Sequence, residues 1–229
     1  MEDLVKGCSV CVKNRPDHAE PLRPTKFPDR PWEMVATDLF HLKNDNYLLV
    51  VDYFSRYVEI AKLKNTTSQA IINHLKSIFA RHGIPDTLVS DNGPQYASSV
   101  FQNFSWNYGF RHQTSSPHYP QGNGEAERAV QTVKRLIRNA TDPYLALLAY
   151  RATPLKNGSS PAELLMGRKL RTTLPENPRN YHPKWPDLAK VRQLEEQSRH
   201  NQKLNFDIAK KARPLSSLKA GETVWVKGD

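Results

Sequence analysis

Residues 32–63 read WEMVATDLFHLKNDNYLLVVDYFSRYVEIAKL, and the spacing within them decides the fold class. Three runs, WEMVATDLFHL, NYLLVVDYFS and YVEIAKL, are short and rich in β-branched and aromatic residues, with turn chemistry between them. Such runs predict an antiparallel meander of three strands. Downstream the period changes. Between Thr67 and His82 the apolar residues fall at Ala70, Ile71, Leu75, Ile78 and Phe79, the spacing of a one-sided helix that Gly83 and Pro85 bring to an end. TLVSD at 87–91 reads as a short buried strand with its acid at the end, Ser98–Tyr108 as a second helix and FRHQTSS at 110–116 as a fifth strand. Glu125–Ala140 reads as a third helix, followed by helices at 143–153 and Pro161–Met166. The order βββαβαβα predicts an α/β domain, a mixed sheet with helices on both faces.

The flanks differ in character. Residues 1–31 hold Cys8-x-x-Cys11 and then NRPDHAEPLRPTKFPDRP, five prolines without periodicity, which predicts an extended segment before a folded core over 32–170. Residues 171–215 combine a proline-rich linker (174–186) with a polar stretch of helical propensity, and 216–229 carry one alternating strand. That polar stretch sets Lys190, Arg192, Arg199, Lys203, Lys210, Lys211 and Arg213 against Glu195, Glu196 and Asp207. A solvated helix and a DNA-binding arm both account for it. The longest apolar runs, YLLVV and YLALLAY, are far short of the ~20 residues that span a bilayer, so no membrane partner is expected. The acidic start MEDLVKG lacks the apolar stretch of a secretory signal. Two cysteines make no disulfide framework, and a reducing, intracellular setting is expected.

A formal net charge of +10 and a pI of 9.6 favour a polyanionic partner. Against that background three acids stand out. Asp38 lies inside the first strand, flanked by Val35, Ala36, Leu39 and Phe40, where an unpaired charge is expensive. Asp91 ends the fourth strand, and Glu127 opens the third helix. Each has a plain alternative: Asp91 before Asn92-Gly93 as a turn residue, Glu125 and Glu127 as helix N-terminal charges worth ~0.3–1 kcal/mol each. A hard divalent cation that takes carboxylate oxygens accounts for all three together. At ~100° per residue, Glu127, Gln131, Lys134 and Arg138 share one stripe, beside a packing stripe of Ala129, Val133, Leu136, Ile137 and Ala140. Glu125 falls about 200° away. Glu127 therefore heads a net basic face, from which Gln131, Lys134 and Arg138 are placed to meet a phosphate backbone. His74, His112 and His118 lack ligand spacing, and Ser115-Ser116 has no His/Asp partner pattern, so these read as structural.

TDLF around Asp38, VSDNGPQY around Asp91 and SSPHYPQGNGEAERAVQTVKRL around Glu127 resemble the catalytic core of retroviral integrases and, more closely, of gypsy-class LTR-retrotransposon integrases. VVDYFSRYVEIAKL, FARHGIPDTLVSDNG and LLAYRATPLKNGSSPAELLMGR resemble that family too, and thirty-five residues separate Asp91 from Glu127, as in its D…D…E pattern. The resemblance implies a ribonuclease-H-like fold with Asp38, Asp91 and Glu127 as catalytic metal ligands. It also implies two Mg²⁺ (or Mn²⁺) ions, 3′-end processing and strand transfer of element DNA into target DNA, a homo-oligomer, and action in the nucleus. The loop at 117–124 resembles the mobile loop that closes over DNA in that family. Family members also begin with an H-H-C-C zinc domain. Here Cys8 and Cys11 stand without the His pair, and the spacing of His18 fits no usual site, so no zinc is expected. The small C-terminal β-barrel is represented by its first strand alone. Those two departures support a second reading, a nucleic-acid-binding remnant or host-adopted relative without productive integration.

Overall fold

The computed structural model describes residues 20–22, 24–114, 124–213 and 221, with the backbone alone for 124–127, 129 and 130. Five strands form one mixed sheet: β1 (Met34–Leu42), β2 (Asp45–Asp52), β3 (Val58–Leu63), β4 (Thr87–Ser90) and β5 (Arg111–Thr114). Their order is β3-β2-β1-β4-β5, antiparallel through the meander and parallel from β1 to β4 to β5. The helices are α1 (Ser68–His82), α2 (Pro94–Ala97), α3 (Ser99–Tyr108), α4 (Gly124–Asn139), α5 (Pro143–Ala152), α6 (Pro161–Met166) and α7 (Leu188–Ala209). The mixed sheet with helices on both faces is the one the sequence predicts. Differences lie at element ends. Asp91 falls one residue beyond β4, and the short turn of helix at α2 had no periodic signal. Residues 115 and 116 of the expected fifth strand lie outside the described residues.

Period-2 alternation sorts the side chains into two cores. Val35, Leu48, Val50, Leu63 and Leu88 pack with Ile71, Leu75 and Phe79 of α1 and Phe101 and Phe104 of α3. On the other face Ala36, Phe40, Leu49, Val51, Val58 and Val89 pack with Val133 and Ile137 of α4 and Leu147 of α5. Side chains supply the helix N-caps: Thr67 accepts from the Ala70 amide, Ser98 from Phe101, Asp142 from Tyr144 and Leu145, and Ser160 forms a capping box with Glu163.

Clustering of the fold gives a large unit, Thr25–Glu196, and a second unit comprising 1–24 and 197–229. Within the second, Lys203 Nζ pairs with Asp207 Oδ2 at 2.7 Å, and the Leu22 amide donates to Asp207 Oδ1 at 2.8 Å. Within the large unit, the 174–186 stretch includes a 3₁₀ turn at Pro178–Tyr181 and folds back on the end of α6. There the Lys184 amide donates to the Gly167 carbonyl, and the Trp185 ring lies where a Cβ on Gly167 would fall, 2.7 Å from its nearest atom.

Asp52, which sequence reading passed over, is fully buried. Its Oδ1 accepts from the amides of Trp32 (3.0 Å) and Phe54 (3.3 Å), and its Oδ2 from the Ser55 amide (3.0 Å) and hydroxyl (2.6 Å). Burial holds the carboxyl above the usual range, and these donors offset only part of that rise. All four donors require an acceptor-only group, which a carboxylate supplies. The bonds tie the entry to β1 to the turn after β2. Glu59 plays a similar part at half-burial, taking His82 Nε2 at 2.7 Å and an Arg151 nitrogen at 3.1 Å. Burial opposes its charge, but the His82 hydrogen bond, together with Arg151 and Arg81, holds it below the usual glutamate value.

Replacing Asp52 by Asn leaves one accepting oxygen for four donors and is expected to cost about 1–3 kcal/mol, read as a lower urea midpoint. A midpoint equal to that of the parent would refute the role. Because the folded pKa of Glu59 is depressed, its contribution is full above its unfolded value near 4.5 and is lost as pH falls through the folded one. Stability measured from pH 7 down to pH 3 should therefore fall less steeply in Glu59→Gln than in the parent.

Candidate active site

The geometry of the site begins with a parallel ladder. Met34 pairs with Thr87, Val35 with Leu88 and Ala36 with Val89. Continued two residues along both strands, the same register brings Asp38, in the middle of β1, level with Asp91, one residue past the end of β4. Alternation puts both acids on the face of Ala36 and Val89, the face that α4 covers. Asp38 is half-buried and accepts from the Leu39 amide at 2.7 Å. Asp91 is exposed, and its Oδ1 accepts from the Gly93 amide at 3.1 Å, the turn role of the plain reading. Gly93 suits that turn because its missing Cβ would lie 2.4 Å from the Gln95 amide nitrogen and 3.1 Å from Asp91 Oδ1. The turn bond and an exposed carboxylate coexist, so the turn does not remove Asp91 from a site.

Tyr96 senses both acids. Its buried hydroxyl lies 3.1 Å from Thr37 Oγ1. Burial raises its pKa far above the usual phenol value, and the charges of Asp91 and Asp38 raise it further. Two carboxylates thus act on one buried group between β1 and β4. The third acid, Glu127, belongs to the first turn of α4; its side chain, like that of Glu125, lies outside the described residues. Among the described residues, no three His, Cys, Asp or Glu side chains gather as potential metal ligands. Cys8, Cys11, His18 and the 117–123 part of the loop also lie outside them.

Helix α4 is seated by Val133 and Ile137, both buried. Gln131 and Arg138 are exposed, whereas Lys134 is half-buried with its Nζ 5.6 Å from the centroid of the Phe40 ring. A cation at that distance over an aromatic face is attracted by ~0.5–1 kcal/mol. The stripe heading from Glu127 is therefore anchored at Lys134 next to the strand that carries Asp38.

Residues 28–120 match the integrase core domain family. Over 186 residues the chain is 38% identical to the uncharacterized protein K02A2.6 of Caenorhabditis elegans, and over 188 residues it is 31% identical to the Gag-Pol polyprotein of Walleye dermal sarcoma virus. These alignments cover 76% and 75% of the chain but only 15% and 11% of those proteins. Among solved structures, a chain of the simian T-cell lymphotropic virus intasome in complex with PP2A regulatory subunit B56 gamma superposes with a TM-score of 0.63 and 26% identity. That match covers 77% of this chain and 69% of the other. The core is of the retroviral integrase type. Within this integrase core the fold agrees with the ribonuclease-H-like expectation.

Sequence reading passed over Thr37, Ser90 and Tyr96, which lie buried next to the acids in sequence or contact, and read His112 as structural, in agreement with its hydrogen bond to Ser90. A faint signal was present, since each strand acid follows a hydroxyl residue, Thr37-Asp38 and Ser90-Asp91.

Lys134→Ala is expected to weaken duplex DNA binding about equally across sequences, to reduce the salt slope by ~1, and to lower stability by ~0.5–1 kcal/mol through loss of the Phe40 contact. Titrations at several salt concentrations, with urea melts alongside, check both parts. An unchanged slope would confine Lys134 to packing.

Proposed function

We propose that this chain is a DDE-type polynucleotidyl transferase that carries out 3′-end processing and strand transfer of retrotransposon DNA into target DNA, as a homo-oligomer acting in the nucleus. The observation that supports the reading is the β1–β4 register, whose continuation brings Asp38 level with Asp91 on the sheet face packed against α4, the helix with Glu127 in its first turn. A set made of Asp38 on β1, Asp91 just past β4 and Glu127 in the first turn of α4 would suit hard cations, which prefer oxygen ligands and retain positions for water and phosphate. Magnesium or manganese held there, two ions per site, supplies stabilisation of the attacking and leaving oxygens in an in-line phosphodiester displacement.

The chain's own residues do the rest. Asp38 is carried within β1, and Asp91 stands just past β4 in a turn closed by the Gly93 amide. Glu127 completes the set from α4. Gln131 and Arg138, exposed on the same helix, together with Lys134 orient the DNA backbone relative to the acids. A further basic surface is available in the same unit. A cleft of about 540 Å³ at the end of α6 is lined by Arg168, Arg179, His182, Lys184 and Trp185, with Glu163 the acid among its lining residues. The overall excess of basic charge supports a polyanionic substrate.

Oligonucleotide strand transfer with Mg²⁺ tests the reading. Asp38→Asn, Asp91→Asn and Glu127→Gln are each expected to bring joining below detection with circular dichroism unchanged, while Glu125→Gln has a mild effect. An active Asp91→Asn protein would overturn the assignment. Because clustered carboxylates repel one another without cations, millimolar Mg²⁺ or Mn²⁺ should raise the melting temperature of the parent by a few degrees, and this shift should vanish in Asp91→Asn. A parent protein that binds DNA yet neither joins it nor shifts with metal would make the DNA-binding remnant the better description.

A further inference from the structure

The face of the sheet opposite the acids carries two buried hydroxyls, one immediately before each acid. Thr37 precedes Asp38, Ser90 precedes Asp91, and both are fully buried. The β1–β4 register places them on neighbouring strands, as it does the acids. Each hydroxyl has one proton to give. Thr37 donates its proton to the Leu49 carbonyl at 3.0 Å, and Ser90 donates to the Asp91 carbonyl at 2.7 Å. A second polar group nevertheless sits on each. The Tyr96 hydroxyl lies 3.1 Å from Thr37 Oγ1, and His112 Nε2 lies 2.9 Å from Ser90 Oγ. With the hydroxyl protons already engaged, the proton in each of these contacts comes from the ring residue.

This count assigns His112 the tautomer with hydrogen on Nε2, donating to Ser90, whose own hydroxyl donates to the backbone of Asp91. Burial lowers the His112 pKa, in keeping with a neutral ring. The imidazole is also confined from the side: its centroid is 4.8 Å from that of Phe101 and 6.3 Å from that of Tyr96. Tyr96 itself is wedged edge-on against Phe101 at 5.2 Å. Three rings from α2, α3 and β5 therefore form one packed group, and its two polar tips reach the residues that precede the two acids.

We propose that Tyr96 and His112 are positioning residues which, by donating to Thr37 and Ser90, fix the relative placement of Asp38 and Asp91 and so set the affinity of this site for divalent metal. The proposal rests on the reading of those acids as metal ligands. A chain of this kind works because a hydrogen bond to a neighbour of a ligand restricts the ligand's backbone, and loss of such outer partners commonly weakens metal binding 10–100-fold.

The test uses the full chain and manganese as probe, with affinity read by calorimetry and, separately, strand transfer read on oligonucleotides. His112→Phe and Tyr96→Phe keep the rings and remove the donors; His112→Gln restores an N–H at a similar reach. Each Phe variant is expected to bind Mn²⁺ about 10-fold or more weakly, with kcat reduced, KM for DNA unchanged and His112→Gln recovering most of both losses. Ser90→Ala should weaken Mn²⁺ binding as His112→Phe does, and the double variant should add little to either. If His112→Phe fails to fold, Ser90→Ala and Tyr96→Phe carry the same comparison. Mn²⁺ affinity at parent level in the folded donor-less variants, or a Gln variant no better than Phe, would overturn the proposal. A parent that binds Mn²⁺ through Asp91 but joins no DNA would count against the proposed function alone, leaving the affinity comparison to judge the positioning role.

Discussion

The short parallel ladder between β1 and β4 is the constraint on which the site depends. Three residue pairs, Met34 with Thr87 through Ala36 with Val89, bring together segments about fifty residues apart in the chain. Side chains in a sheet repeat every two residues, so a slip of one position would send Asp91 to the opposite face from Asp38. The register is guarded on both sides. Val35 and Leu88 are buried in one core, Ala36 and Val89 in the other, and neither pair tolerates exchange of faces. The hydrogen bond from the Thr87 amide to the Glu33 carbonyl fixes the start of the ladder at 3.1 Å.

Around that ladder the buried polar groups do work that apolar packing leaves undone. Hydrophobic burial gives the layers their order without fixing turns or strand ends, because it has no direction. Direction comes from Asp52, whose carboxylate collects donors from Trp32, Phe54 and Ser55, and from Glu59, which joins β3 to α1 through His82 and to α5 through Arg151. Trp32 illustrates the coupling. Its amide is held by Asp52, its indole N–H donates to the Gly83 carbonyl at 2.8 Å, and its ring lies 4.5 Å from that of His82, so the start of β1 is tied to the end of α1.

The fold was legible because its cues are local. Short runs rich in β-branched and aromatic residues mark the strands, and Thr67, Ser98 and Gly83 punctuate helices within a residue of where the structure has them. The pairing of β1 with β4 was not legible in the same way, since it depends on a crossover through α1 and on packing against two cores. Asp38 stood out from the sequence as an acid at odds with its apolar neighbours, and Asp91 as the acid that closes a short buried strand. Asp52 did not, because an acid at the end of a strand before Ser55 reads as ordinary turn chemistry. His112 read as structural, but its partner Ser90 was not legible, because it is twenty-two positions away and no spacing rule connects a histidine in one strand with a serine in the next.

The adjacent placement of Asp38 and Asp91 also bears on how such a chain changes over generations. Two like charges on neighbouring strands, one inside β1 and one just past β4, repel each other, and replacing either by its amide would relieve that repulsion at little steric cost. A lineage under pressure to keep the fold alone would drift toward neutral residues at these positions, as stability-activity trade-offs predict. The buried residues beneath, Thr37, Ser90 and Tyr96, would persist longer, because packing protects them. Decay of the chemistry would therefore be written first in the acids and only later in the scaffold, and a descendant could retain every strand described here long after falling silent.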